Sequence, residues 1–285
     1  MRHNHAILDF QRKRGEGSAA FVLPFLDATM EILDVGCGPG TITAALAKTA
    51  RSAVGIDISA KAIASAREMA SSARMTNVGF VRGTMTALPF ENTRFDIVFF
   101  HAVLYHLDAA TLAATLSEAR RVLKAGGLIA TRDADVGGNI LYPQTSGLQL
   151  ALDLWTRWYE HADPDSGRFG RRQSAILRAH GFVPVWSGAS FVNHSADEPT
   201  RRESAADAKR SLQGMRAELV ARAWRYAMRS TRRSPPGRRG AATPTASISD
   251  AAASASRESR RDSAGSVDRR GSHPQTTNLQ AIAFR

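Results

Sequence analysis

The stretch "EILDVGCGPGTIT", Glu31 to Thr43, joins a short apolar run to three glycines at every second position. A near-continuous apolar run of this length is typical of a buried parallel strand, and "TITAALAKTA" after the glycines has helical spacing. Glycine loses more backbone freedom on folding than any other residue. Its repetition at Gly36, Gly38 and Gly40 therefore predicts a sharp turn where bare backbone closely approaches a ligand.

Strand-like and helix-like segments alternate through the first 195 residues. Further apolar runs of strand length lie at 53–58, 77–83, 95–101 and 127–133. Ser59 and Asp108 are good N-caps for two of the helices between them, and Gly126 is expected to end the second. Another helix, at about 17–28, is expected over the mouth of the site. This alternation predicts an α/β fold, a doubly wound, Rossmann-like and mostly parallel sheet of seven strands.

The second half of the chain departs from this alternation. The segment "PQTSGLQLALDLWTRWYEH" (143–161) predicts an inserted helical lid rich in Trp and Leu. A crossover helix at 169–182 follows, and 182–195 is expected to form a strand or a tight hairpin. The predicted organisation is an N-terminal arm (1–16), a ligand-binding domain (17–199), a helical extension (200–229) and a low-complexity, disordered tail (230–285). A terminal antiparallel strand is possible at 278–284.

The net charge of +12 belongs to the C-terminal part. Residues 200–285 carry 18 Lys and Arg against 7 Asp and Glu, whereas residues 1–199 carry 20 against 19. The domain is therefore nearly neutral, and we expect no nucleic-acid partner for it. No apolar run approaches the roughly 20 residues of a membrane span. Cys37 is the only cysteine, which suits a cytoplasmic protein, and oligomeric state is not readable from the sequence.

The glycine loop can be compared with three kinds of ligand site. A phosphate-binding P-loop needs Gly-Lys-Ser/Thr, which "GPGTIT" lacks. A dinucleotide fingerprint needs a third glycine where Thr41 stands. The remaining pattern, D-x-G-x-G-x-G beginning at Asp34, fits a cofactor with a ribose and an amino-acid tail. Asp57 lies about twenty residues further on, at the end of the second strand, and its carboxylate can accept hydrogen bonds from both ribose hydroxyls. The alternative is that Asp57 is a turn residue or the cap of the next helix, although Ser59 already fills the cap position.

Five segments together carry a family resemblance: "ILDVGCGPGTIT", "VGIDIS", "FVRGTMTALPF", "FDIVFFHAVLYHL" and "RVLKAGGLIATRD". In this order and spacing they resemble the class I methyltransferases that use S-adenosylmethionine (SAM). The likeness is to the ubiquinone and menaquinone-type branch (methyltransferase type 11), which includes many natural-product enzymes. It covers about residues 15 to 195 and is specific for fold and cofactor, much less so for substrate.

The resemblance implies roles for the residues around the loop. Gly36, Cys37, Gly38 and Gly40 would line the methionine and ribose part of SAM, with Asp34 orienting the loop. Asp57 and Ile58 would lie against the ribose, and Thr84 and Met85 would flank the adenine. The family usually has Asp where Thr84 stands, so adenine recognition departs from the usual pattern. His101 falls where the fourth strand meets the methionine end.

A methyl acceptor with a hydroxyl or an enol carbon needs a general base. His106, just past the fourth strand, is the catalytic candidate, because an imidazole is suited to proton transfer near neutral pH; a purely structural histidine at this corner is the alternative. His101 and His106 are five residues apart with no cysteine or paired carboxylate to complete a metal site, so we expect no metal. Asp133, Tyr142 and Trp155 are candidate substrate contacts.

Several of these residues have equally plausible structural roles. Asp135 is expected to cap the lid insertion, with a contact to a polar substrate group as the alternative, and Trp155 with its aromatic neighbours favours packing over a substrate wall. The Asn/Asp-Pro-Pro-Tyr/Phe segment of nucleobase and glutamine methyltransferases is replaced by "HAVLYH". The sequence therefore predicts methylation of oxygen or activated carbon in a small organic molecule. A macromolecular methyltransferase that uses the basic tail, and a non-catalytic SAM-binding protein, are the alternatives.

Overall fold

Strand β1 (Glu31–Val35) is an interior strand of a seven-stranded sheet in the computed structural model, which describes residues 11–12, 15–142, 144–160, 166–194, 196–233 and 276–284. The other strands are β2 (Ser52–Asp57), β3 (Val78–Arg82), β4 (Phe95–His101), β5 (Leu123–Ile140), β6 (Pro184–Asn193) and β7 (Thr276–Phe284). The helices are α1 (Glu16–Ala19), α2 (Thr41–Ala47), α3 (Ala60–Ser72), α4 (Ala109–Val122), α5 (Ser146–Tyr159), α6 (Phe169–Ala179) and α7 (Glu198–Arg233). Short 3₁₀ helices lie at Leu23–Phe25, Leu104–His106 and Ser166–Arg168.

The strand order is β3-β2-β1-β4-β5-β7-β6. The five strands from β1 to β5 pair in parallel, and β7 pairs antiparallel with both β5 and β6. The order reverses at β1, so β1 and β4 diverge from the switch point where α/β sheets bind ligands. This arrangement confirms the predicted α/β class and its mostly parallel sheet of seven strands.

Both faces of the sheet are covered, which explains the near-continuous apolar strands. One buried cluster joins Leu33, Val98 and Ile129 of the strands to apolar residues of α4 and α6. Neighbouring residues on the same strands point the other way, into a cluster that includes residues of α2 and of the 19–22 segment. The alternation of strand side chains thus builds two apolar layers from one sheet.

Local capping signals are confirmed. The Ser59 hydroxyl accepts a hydrogen bond from the Ala62 amide (3.2 Å), and the Asp108 carboxylate accepts one from the Thr111 amide (2.8 Å). The expected end of α4 at Gly126 is wrong, because Leu123 already adopts extended backbone and pairs with Phe95. Gly126, with φ of +76°, instead turns the chain within β5, where the register with β4 shifts.

One other expectation is corrected by the structure. The helix expected at 17–28 is only α1 and the 3₁₀ turn around Pro24, because proline supplies no amide donor for a continuous helix. These residues pack on the face of the sheet beside α2 through Ala19 and Val22. In the segment 182–195, where a strand or a tight hairpin was predicted, the structure has the strand β6.

The C-terminal part returns to the sheet. Helix α7 covers the predicted extension and continues to Arg233, and β7 begins two residues before the predicted 278–284 strand. Ala283 and Phe284 are completely buried between β5 and β6. The predicted disorder of 234–275 lies outside the described residues. None of the helices that the structure describes is long and apolar enough to cross a membrane.

Candidate functional site

The glycine loop between β1 and α2 has left-handed backbone at every second residue. The φ angles of Gly36, Gly38 and Gly40 are +76°, +54° and +80°. A Cβ on Gly40 would lie 2.6 Å from the Phe80 ring, and one on Gly36 would lie 2.5 Å from a Val103 methyl group. Positive φ together with this crowding therefore requires glycine at both positions.

The loop is fixed to β2 by backbone and carboxylate bonds. The amides of Gly36 and Cys37 both donate to the Ile56 carbonyl, at 2.8 and 3.1 Å. Asp57 Oδ2 accepts from the Gly38 amide at 3.0 Å, and its Oδ1 accepts from the Ser59 amide at 2.8 Å. Each carboxylate oxygen keeps a second lone pair, so Asp57 can hold the loop and still accept ligand hydroxyls.

Asp34 is a second carboxylate buried beneath the loop. Its Oδ2 accepts a 2.6 Å hydrogen bond from Thr43 of α2, which ties the strand to the helix that follows the glycines. Burial, reinforced by the charge of Asp57 and opposed by the Thr43 bond, raises the pKa of Asp34 to about 7. Asp34 therefore links β1 to α2, and its role in orienting the loop remains a prediction.

The Cys37 side chain points away from the ligand side. It packs in a buried cluster with Ile63, Ala66 and Phe80. Burial and the neighbouring carboxylates Asp34 and Asp57 raise the pKa of its thiol well above the ordinary value, which disfavours the reactive thiolate. Any cofactor contact of Cys37 would come from its backbone.

Ile58, Thr84 and Met85, which are predicted to contact the adenosyl part of SAM, lie at the carboxyl ends of β2 and β3. Ile58 is 62% exposed beside Asp57, which is unusual for a large apolar side chain and gives an open surface for an aromatic ring. Thr84 is also exposed, with its hydroxyl 3.0 Å from that of Thr86, and Met85 packs against the large buried cluster. These residues are therefore near the carboxylate proposed to hold the ribose.

The turn after β4 joins the glycine loop to β5. Ala102 has a φ of +56°, a left-handed conformation that is uncommon for a residue with a Cβ. It is held because its amide donates to the Arg132 carbonyl (2.9 Å) and the Val103 amide donates to Asp133 Oδ1 (3.0 Å). Asp133 is fully buried, so the structure shows it supporting this turn, and a substrate contact remains a prediction.

Two histidines follow from this turn. His101, the last residue of β4, is buried and stacks on Phe99 with ring centroids 6.5 Å apart. His106 ends the 3₁₀ helix three residues beyond Val103, and its half-buried ring lies against Tyr105 at 3.8 Å between centroids. Val103, which lies between the two histidines in the chain, packs next to Gly36, and cofactor or acceptor contacts of His101 and His106 remain predictions.

The predicted substrate residues are spread over β5 and the insertion. Tyr142 is 50% exposed just after β5, and Trp155 is half-buried on α5. Helix α5 packs on the turn Ser166–Arg168, where a Cβ on Gly167 would lie 3.0 Å from a Thr156 methyl group. The insertion is thus a helix, and its role as a lid remains a prediction.

Asp135 has a structural role, but the predicted cap of the lid insertion is wrong, because Asp135 bonds to the helix that follows the insertion. It is fully buried and accepts from the Arg171 guanidinium through both oxygens, each at 2.7 Å. Its Oδ2 also accepts from the Arg171 amide at 2.9 Å, in the first turn of α6. Asp135 therefore caps α6, the helix after the insertion, and fixes its start on β5.

Sequence reasoning missed Arg132 of β5, which lies opposite His101 in the sheet register. Its guanidinium is buried and donates to the Gly17 carbonyl at 3.1 Å and to the Ser190 hydroxyl at 2.9 Å. A single Arg within an apolar strand pattern gives no signal of contacts 115 and 58 residues away. It links the N-terminal segment, the central sheet and the edge strand.

Other possible sites lie elsewhere or lack the required groups. A cavity of about 220 Å³ lined by Met30, Asp96 and Lys124 lies at the amino ends of the strands, opposite the glycine loop. Ligands in open α/β sheets bind at the carboxyl ends, so we assign no substrate to it. Within the described residues, no three His, Cys, Asp or Glu side chains are grouped to hold a metal ion.

Comparisons with known proteins agree with this geometry. Residues 32–127 match a family model described as a methyltransferase domain. The probable methyltransferase ltbC of Aspergillus luteorubrus is 42% identical over 169 residues, 55% of this chain and 58% of that protein. An uncharacterized methyltransferase of Schizosaccharomyces pombe is 33% identical over 196 residues, 66% of this chain and 69% of its own length. A demethylmenaquinone methyltransferase of Shouchella clausii is 35% identical over 107 residues, 36% of this chain and 45% of that protein.

The fold also matches a crystal structure. A putative methyltransferase from Bacillus halodurans superposes with a TM-score of 0.56 at 18% identity, over 94% of this chain and 98% of that one. This likeness shows the fold. Together with the sequence relatives, it establishes that the chain belongs to the class I SAM-dependent methyltransferases.

The residues present fit the cofactor of this family. The loop offers bare backbone at the switch point, with no lysine to bind a phosphate. Asp57 lies at the end of β2 with acceptor capacity for hydroxyl groups, and Ile58 presents an apolar surface next to it. These residues would hold the adenosyl part of SAM, and the glycines would accommodate its sulfonium and amino-acid tail.

Proposed function

We propose that this protein transfers the methyl group of SAM to an oxygen or an activated carbon of a small organic molecule, quinone-like or a secondary metabolite. The observation that carries the proposal is the left-handed glycine loop whose Gly38 amide is bonded to Asp57. This pairing fixes the distance between the bare backbone and the carboxylate before any ligand binds. A preformed site of this kind lowers the entropic cost of binding.

Bound SAM supplies an already activated methyl group on its sulfonium. The protein then has two tasks, which are to hold an acceptor in line with that methyl group and to remove a proton from the acceptor. The rigid turn after β4 serves the first task, because Ala102 and Val103 are both bonded to β5. Acceptor placement therefore depends on β5 as much as on the loop.

His106 is the general base in this proposal. It lies at the end of the 3₁₀ helix that follows the turn, and its ring is partly accessible. Its half-buried position suits a group that must contact an acceptor and still exchange a proton with solvent. His101 is more deeply buried and serves better as a wall on the methionine side.

Two features support a small acceptor. The domain is nearly neutral, which does not favour electrostatic binding of nucleic acid. Trp155 and Tyr142 lie in the insertion region, where aromatic side chains suit a flat, conjugated acceptor.

The name of the Shouchella relative, a demethylmenaquinone methyltransferase, supports the quinone-like class. A cytoplasmic location remains a prediction.

Binding and turnover test the proposal separately. Isothermal titration with SAM and with S-adenosylhomocysteine should give saturable heat with the full chain. A screen of phenols, quinones and polyketides with methyl-labelled SAM should then show transfer of label to at least one of them. If neither SAM nor S-adenosylhomocysteine binds, the proposed use of SAM is wrong. Transfer of label to RNA or protein instead would favour the macromolecular alternative.

Replacing His106 tests the base. His106→Asn should lower kcat by about 10²-fold or more and leave SAM affinity unchanged, because positioned proton transfer contributes about that much. His180→Asn is the matched control, since His180 lies at the end of α6 with its ring nitrogen near the Ile176 carbonyl. Equal kcat values for the two variants would rule out His106 as the base.

The basic tail can be tested without disturbing the sheet. Because β7 follows it and lies inside the sheet, ending the chain near residue 230 would remove a buried strand. Replacing the seven arginines of 234–275 with glutamine keeps β7 and removes the positive charges of this segment. The proposal predicts unchanged small-molecule activity, whereas loss of activity together with loss of salt-sensitive RNA binding would support the macromolecular alternative.

A further inference from the structure

Residues 11 and 12 lie across the glycine loop. The Gln11 carbonyl accepts a hydrogen bond from the Thr41 hydroxyl at the start of α2 (3.3 Å), and the Arg12 guanidinium donates to the Ser65 hydroxyl of α3 (2.9 Å). These two bonds anchor the segment to the helices on either side of the loop. The Gln11 side chain is thereby held over Gly38.

The contact between Gln11 and Gly38 is close. A Cβ on Gly38 would lie 2.9 Å from Gln11 Oε1 and 3.3 Å from Gln11 Cδ. The φ of +54° by itself favours glycine at position 38. Any side chain there would displace the amide from the loop.

The Gln11 oxygen is buried without a hydrogen-bond partner in the part of the chain that the structure describes. An unsatisfied buried acceptor costs free energy, and native structures contain few of them. Gln11 Oε1 accepts hydrogen bonds and cannot donate them. The group that completes this site must therefore carry a donor, at the position where the loop receives its ligand.

We infer that Gln11 binds the cofactor by accepting a hydrogen bond from a donor of its ribose or amino-acid tail. The donors of SAM in that part of the molecule are the two ribose hydroxyls and the α-ammonium group. Asp57, which binds the Gly38 amide, is the neighbouring acceptor. Gln11 thus adds a contact from the N-terminal segment, outside the motifs of the domain. The inference rests on the proposed use of SAM at this loop.

Gln11→Leu keeps a side chain of similar size but replaces the carboxamide with an apolar group. The hydrogen-bond acceptor is thereby removed. Titration of the full chain should show SAM binding weakened about tenfold, the loss expected for one hydrogen bond to a ligand donor. The thermal midpoint of the ligand-free variant should not fall, because the unsatisfied oxygen has gone. A role in packing alone predicts the reverse, a lower midpoint with unchanged affinity, and that result would overturn the inference.

Gln149→Leu is the matched control, since Gln149 is on α5 and donates to Asp153. It should bind SAM like the unchanged protein. Titration with 5′-methylthioadenosine, which keeps the ribose and lacks the amino-acid tail, separates the two kinds of donor. An equal loss with this nucleoside assigns a ribose hydroxyl, and a loss with SAM alone assigns the ammonium group.

Failure of the inference and failure of the proposed function give different results. If the unchanged protein binds neither SAM nor S-adenosylhomocysteine, the proposed function is wrong. If it binds SAM and Gln11→Leu binds equally well, the function stands and the assignment of Gln11 is wrong.

Discussion

The two halves of the sheet are built from the sequence in different ways. The cofactor half, β1 to β3, comes from residues 31–82, and its key bond joins Gly38 to Asp57, 19 residues apart. The other half, β5-β7-β6, brings together segments from residues 123 to 284. Local spacing therefore specifies the first half, whereas long-range strand pairing specifies the second. A cofactor motif can be read from such a chain long before its acceptor site can.

The largest effect is expected at β7, on which the second half depends. Phe284 is fully buried and lies in the large apolar cluster with residues of α4 and α6. Phe284→Ala should lower the free energy of unfolding by about 3–5 kcal/mol, the usual cost of removing a buried ring. Chemical denaturation followed by tryptophan fluorescence measures this change.

Phe191→Ala on the edge strand β6 is the matched control. Phe191 is 52% exposed, so its removal should change the free energy of unfolding by less than about 1 kcal/mol. Equal effects at the two positions would show that β7 does not occupy the interior of the sheet.

A smaller effect is expected where β5 meets α6. Arg171→Ala leaves the buried Asp135 carboxylate without its guanidinium partner, which should cost about 3 kcal/mol of unfolding free energy. SAM affinity should stay the same, because this pair lies outside the cofactor half. Arg178→Ala on the same helix is the control. A change in SAM affinity with Arg171→Ala would show that the two halves are energetically coupled at this pair.

A further effect, spread over several pH units, is the pH dependence of the cofactor half. The pKa of Asp34 is about 7 in the folded protein, raised mainly by burial from 3.8. The folded state therefore holds a proton that the unfolded chain releases between about pH 4 and pH 7, so stability from this group falls as pH rises through that window. The slope is at most about 1.4 kcal/mol for each pH unit.

Asp34→Asn removes this titration. Thermal unfolding from pH 4 to pH 8 should show that the stability of the variant rises relative to that of the unchanged protein as pH rises. Above about pH 7 the difference in the free energy of unfolding should be constant. Asp96→Asn, at the amino-terminal end of β4 and away from the glycine loop, is the control for a general charge effect. A difference that is independent of pH would mean that Asp34 is ionised throughout.

The features that the sequence predicted correctly depend on few neighbouring residues. Ser59 and Asp108 were identifiable as N-caps because a cap bonds an amide three residues away. The glycine loop was identifiable because positive φ restricts the residue type. Asp57 follows from the position of β2, although its bond to the loop needed the structure.

The features that the sequence did not predict depend on distant contacts. The end of α4 was misplaced because Leu123 is taken into the sheet by Phe95. Arg132 and Gln11 gave no signal, because their partners are Gly17, Ser190 and the loop itself. Long-range pairing overrides local propensity at such positions.

The most direct test of the central claim is the affinity of SAM for Asp57→Ala. In this account, the Asp57 carboxylate fixes the loop and accepts hydrogen bonds from the ribose. Isothermal titration should therefore show SAM binding weakened at least tenfold in a variant that still unfolds cooperatively. Asp27→Ala, which removes a carboxylate that bonds Thr29 near the amino ends of the strands, should bind SAM normally. Unchanged affinity in a folded Asp57→Ala protein would contradict the account.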